Sequence, residues 1–131
     1  VITLSNNKAL GATYATAWVD CRRARRVHFQ WSSDNTSSPV GVVSIEESND
    51  PLALADYLST SNAETTSSTA KTINISGDTT RVKDVGTSFT VNAANETVVT
   101  VVNPAAFVRV KYTRTSGGAT AVANCWAHAV E

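Results

Sequence analysis

Two cysteines and two histidines raise the question of a metal first. Cys125 and His128 lie three positions apart, and Cys21 and His28 seven; in an extended chain an odd spacing sends two side chains to opposite faces. A structural zinc site also calls for close-set pairs such as C-x2-C, and the chain has none. No metal and no cofactor is therefore expected. Glu46 and Glu47 are adjacent, which in a strand points them apart instead of pairing an acid with a base. Asp20, Asp34, Asp50, Asp56 and Asp84 fall mostly in turn-like stretches, where aspartate is favoured for local reasons. Serine and threonine make up about a quarter of the chain, no "GxSxG" elbow singles one out, and no glycine loop offers a phosphate cradle. These residues point away from an enzyme.

The stretch "CRRARRVHFQW", residues 21–31, concentrates Arg22, Arg23, Arg25 and Arg26 in five positions. In a fully extended run Arg23 and Arg25 would fall in line with Val27 and Phe29, a costly alignment for charges in a core. The run is therefore expected to bend, with strand beginning near Arg26 and several guanidiniums gathered at one corner. Protein contact with a neighbouring subunit is the leading reading, since arginine forms planar, bidentate ion pairs at interfaces. A plain solvated edge that discourages unwanted strand pairing comes second. Nucleic acid comes last, because 11 basic and 11 acidic side chains give a net charge of zero. No run approaches membrane-spanning length, and "VITLSNNKALGATYATAWVD" lacks the charged start and apolar stretch of a leader, so neither a membrane nor a signal peptide is expected.

Cys21 and Cys125 stand about a hundred positions apart. Either they are a buried thiol pair, or one disulfide ties the first third of the chain to its end, closing a loop long enough to stabilise by about 4–5 kcal/mol. The sequons at Asn35, Asn74 and Asn95 are no more than chance supplies in so Ser/Thr-rich a chain.

The elements that must position these groups read as strands. Val27, Phe29 and Trp31 alternate with His28, Gln30 and Ser32, giving a half-buried strand. "SDNTSSP" is a turn, and "VGVVSIEE" a second strand expected to pair with the first as a hairpin. Residues 48–69 begin with a short helical turn capped by Asp50 and Pro51, then run on as an exposed loop. "KTINIS", "TSFTVNA" and "ETVVTVVN" are further strands, with "GDTT" a turn after the first and Pro104 a stop after the last. "FVRVKYTRTS" and "ATAVANCWAHAVE" are expected to form a hairpin about Gly117 and Gly118, with Val108, Val110 and Tyr112 inward and Arg109 and Lys111 outward. One face of the last strand holds only Ala121, Ala123, Cys125, Ala127 and Ala129. It either meets large side chains of a facing sheet or makes a close subunit contact. Trp18, Trp31 and Trp126 are expected mainly in the core. The whole is one domain over 1–131: all-β, an antiparallel two-sheet sandwich, jelly-roll-like, with eight to ten strands and at most one short helix.

The last hairpin segment, "NPAAFVRVKYTRTSGGATAVANCWAHA", resembles the C-terminal segment of small virion proteins of tailed bacteriophages, where an aromatic–Val–Arg–apolar stretch leads into "YTRTSG" and a closing strand. "WVDCRRARRVHFQWSSDNTSSPVGVVSIEESND" is similar to the same family, and the two blocks cover about half the chain in the expected order. The chain departs from the pattern after "SND", where "PLALADYLSTSNAETTSST" replaces a short aromatic loop, and in its alanine-rich final strand. The resemblance implies a non-enzymatic structural protein of the virion, assembled in the host cytoplasm, with the major capsid protein or another virion protein as partner. A capsid decoration role leads, with homo-oligomerisation and a trimer as first expectation. A carbohydrate-binding or adhesin module of a tail or head fibre is the alternative.

Overall fold

The structure, a computed structural model, describes residues 1–49, 83–92 and 95–131, with residues 83–87 described through their backbone. Alternation of apolar and polar residues yields β1 (Ile2–Ala9), β2 (Tyr14–Ala15), β3 (Val19–Asp20), β4 (Arg26–Ser33), β5 (Val40–Ser48), β6 (Lys83–Val91), β7 (Asn95–Val102), β8 (Phe107–Ser116) and β9 (Val122–Val130). The short helix, the Ser/Thr-rich loop, "KTINIS" and "GDTT" lie outside the described residues. Among the described residues all structure is strand and connection.

One sheet runs β1-β9-β4-β7 and the other β2-β8-β5-β6, with β3 also on β8, and every pairing is antiparallel. The pairings nest: β5 with β6, β4 with β7, β2 and β3 with β8, and β1 with β9. The described strands thus form one antiparallel ribbon doubled back on itself. Rolling the ribbon brings β4 beside β9 and β5 beside β8, which closes the two sheets. This is the jelly-roll arrangement, and it bears out the expected sandwich.

Two expected hairpins are corrected by this topology. β4 and β5 lie in different sheets, as do β8 and β9. Each pair carries its own inward apolar row, and the rows meet across the core instead of side by side. The connection between β4 and β5 turns sharply where Ser37 and Ser38 take positive φ, and the Thr36 amide donates to Asp34 Oδ1 at 2.9 Å. The connection between β8 and β9 uses Gly117 and Gly118, both at positive φ, to swing the chain from one sheet to the other.

Trp31 of β4 is 2% exposed, stacks on Tyr112 of the opposite sheet with ring centres 6.0 Å apart, and meets Phe89 edge-on at 6.1 Å. Its register neighbour on β9 is Cys125, and Ala121, Ala123, Cys125 and Ala127 are all 0–1% exposed. The small-residue face therefore makes room inside the sandwich for Trp31 and its partners. Four of its five side chains are covered within one chain and Ala129 is half-buried against the core, which favours the facing-sheet reading over a subunit contact.

Candidate protein-contact surface

The arginine run bends as expected. The Ala24 amide donates to the Cys21 carbonyl at 2.9 Å, closing a turn with Arg22 and Arg23 at its tip. Arg25 is fixed through its backbone: its amide donates to the Val130 carbonyl and its carbonyl accepts from the Asn103 amide, both at 2.8 Å. Arg26 then opens β4, between Val102 of β7 and Val130 of β9. All four arginines are exposed and gather at the corner where β3, β4, β7 and β9 converge.

They are not equivalent. Arg22 grips Asp20 with two hydrogen bonds, Nε to Oδ1 at 3.0 Å and Nη2 to Oδ2 at 2.7 Å. It also lies over the Phe107 ring at 5.7 Å. The Arg22 hydrogen bond holds the Asp20 carboxyl below its ordinary range. Arg25 Nη2 donates to the backbone oxygen of Glu131 at 3.1 Å. Arg23 and Arg26 make no ion pair among the described residues, although the charge of Arg23 helps to lower the Asp20 carboxyl.

The corner continues onto the outer face of the four-stranded sheet, where Arg26, His28 and Gln30 point away from the core. Val98 and Val102 of β7 are 63% and 67% exposed, and Trp126 of β9 is half-buried. The face sets apolar side chains among polar ones, and no element of the described residues lies over it. Trp126 departs from the core placement expected for the tryptophans; its neighbour across β4 is the exposed Gln30.

The outer face of the other sheet holds a charged cluster that the sequence reading missed. Arg109 does leave the core, on the opposite face from Val108 and Val110, but it is 4% exposed instead of open to water. Its Nε donates to Glu46 Oε1 at 2.9 Å, across the β5–β8 register, and its guanidinium lies 4.5 Å from the centre of the Trp18 ring. Trp18 and Phe107 are buried, yet stand apart from the main core cluster. Trp18 lies against Arg109 on this outer side of β8. Arg109 Nη2 is buried and has no hydrogen-bond partner. The sequence signal was present in principle: a tryptophan just before β3 and a glutamate on β5 are the two partners a buried arginine needs.

Glu46 and Glu47 point apart as expected, Glu46 to Arg109 and Glu47 Oε2 accepting from the Ala105 amide at 3.1 Å. Cys21 and Cys125 are both buried and unbridged in this structure. Burial, with a smaller contribution from the Asp20 charge, pushes the Cys21 thiol up to about 11. Such a thiol stays protonated and is a poor nucleophile.

What the described residues assemble is an arginine corner joined to a partly apolar outer sheet face. No protein-family model, curated protein or solved structure matches this chain.

Proposed function

We propose that the chain is a non-enzymatic structural protein of a tailed-bacteriophage particle, a decoration protein that binds the shell through protein–protein contacts. The observation that carries this reading is the exposed arginine corner, with Arg23 and Arg26 unpaired, running without a break into the outer face bearing Val98 and Val102. Charged arms beside apolar area are what an acidic neighbouring surface recognises. The motif resemblance to small virion proteins supports the same reading. So does the jelly roll, an architecture used by viral capsid proteins, although it also serves lectins and other folds. A binder selective for the assembled shell stabilises it by mass action, in proportion to its preference for the assembled over the free subunits. Oligomerisation of the chain, first as a trimer, would multiply these contacts.

The test is co-sedimentation of the purified chain with empty heads assembled from the major capsid protein encoded in the same genome. Saturable binding that weakens with salt is the expected result; a chain that stays in the supernatant at every concentration overturns the decoration role. Tight, salt-dependent binding to DNA in the same format would instead make the arginines a nucleic-acid site.

Trp126 favours the second reading, a carbohydrate-binding or adhesin module, because a partly exposed indole on the outer face of a sheet can serve as a stacking platform for a sugar ring. Quenching of Trp126 fluorescence by a glycan, lost in Trp126→Ala, would select that reading.

A further inference from the structure

Both histidines of the chain stand on the outer face of the four-stranded sheet, although a hundred positions separate them in sequence. His28 of β4 and His128 of β9 are direct cross-strand partners, with ring centres 6.5 Å apart. On its other side His28 is paired with Thr100 of β7, and His28 Nδ1 lies 2.8 Å from Thr100 Oγ1. The row Thr100–His28–His128 thus crosses three adjacent strands. The hydrogen bond occupies Nδ1 of His28 and leaves Nε2 as the nitrogen available outward, which is how a metal-binding imidazole is commonly oriented from behind. His128 is exposed and free to turn.

We propose that His28 and His128 form a chelating site for a divalent transition-metal ion of the Zn2+, Ni2+ or Cu2+ class. A tetrahedral ion with nitrogen bonds of about 2.0–2.1 Å holds two imidazole centres about 5 Å apart. Closing from 6.5 Å therefore takes a side-chain rotation of His128 and no movement of the strands. Two neutral imidazoles suit ions that form strong bonds to nitrogen and do not suit Mg2+ or Ca2+, which take oxygen donors. Arg26, the next outward residue of β4, places a positive charge nearby, so the ion is held by nitrogen coordination and not by the field of the face. Among the described residues no third histidine, cysteine, aspartate or glutamate joins the pair. The remaining coordination positions face outward, open to water or to a donor from whatever docks on this sheet. The proposal stands whether or not the chain belongs to a virus particle.

The experiment is calorimetric titration of the intact folded chain with Zn2+ and Ni2+ at neutral pH, with Mg2+ as control. Expected are one site per chain and a higher thermal midpoint in the loaded protein. His28→Asn and His128→Asn should each lower affinity about tenfold or more. Thr100→Val, which removes the orienting hydroxyl, should lower it by about tenfold while both ligands remain. Absence of a saturable one-to-one phase, or affinity unchanged in either histidine variant, overturns the site. Equal affinity for Mg2+ overturns the assigned ion class. Circular dichroism of each variant separates a lost ligand from a lost fold.

Discussion

Arg109 is the residue on which most local energy turns. Its charge is taken out of water, repaid by Glu46 on one side and the Trp18 ring on another, with Nη2 left unpartnered. Removing one member of such a pair leaves the other charged and buried, at a cost of about 3–5 kcal/mol, whereas replacing both with apolar residues can be near neutral. Glu46→Gln or Arg109→Met should therefore lower the urea midpoint sharply, and the double replacement Glu46→Leu with Arg109→Met should recover much of the loss. Additive losses in that cycle would contradict the pairing. Cys21 makes a second residue-scale prediction. Its thiol rises from 9.0 to about 11 on folding, so between these values the unfolded chain releases the proton first and the folded chain does not. Stability contributed by the neutral thiol is complete below pH about 9 and is lost as pH rises toward about 11, amounting to on the order of 2–3 kcal/mol. Burial of Tyr112 raises its phenol as well and acts in the same direction. Denaturation midpoints falling across this window, with a smaller fall in Cys21→Ala, are the expected outcome. The bend of the arginine run was legible, since charges in line with Val27 and Phe29 had to leave the core. Burial of Arg109 was not, because alternation reports which face a side chain takes and not what lies over that face.

The strands show the same division. β4 begins at Arg26 and β5 at Val40, as alternation and the turn residues indicated. Their partners are not legible in the sequence, because closeness along the chain does not fix which strands pair. In a rolled ribbon the neighbour in sequence usually sits in the opposite sheet, and nothing in a period of two distinguishes the two placements. The His28–His128 pair was hidden for that reason: each lay on an outward parity, but their meeting depends on β4 lying beside β9. The connections carry predictions of their own. A Cβ at Gly117, where φ is +63°, would come within 2.0 Å of the Ser38 carbonyl oxygen. Gly117→Ala should therefore disturb the link between β8 and β9 and destabilise by more than 1 kcal/mol, roughly. At Gly41 the intruding Cβ would meet the Tyr112 ring and the Thr113 carbonyl, both at 2.6 Å. Gly41→Ala should cost about 1–3 kcal/mol in chemical denaturation, the range for overpacking. Wild-type stability in either variant would show that the chain does not approach itself so closely there.

At the scale of the molecule the sandwich does two things. It seals the thiols and the small-residue face of β9 inside, and it turns a partly apolar sheet face and an arginine corner outward. The zero net charge removes long-range attraction for polyanions. The central claim is that the corner recognises a neighbouring protein while contributing little to the fold, and one comparison tests it directly. Wild-type chain and the variant carrying Arg22→Ser, Arg23→Ser, Arg25→Ser and Arg26→Ser are titrated onto the same capsid shells, with thermal unfolding recorded for both. Expected are a thermal midpoint that barely moves and shell affinity reduced at least about tenfold, the loss of a few charge-assisted contacts. A variant that binds as well as the wild type, or one that unfolds before binding can be measured, would contradict it.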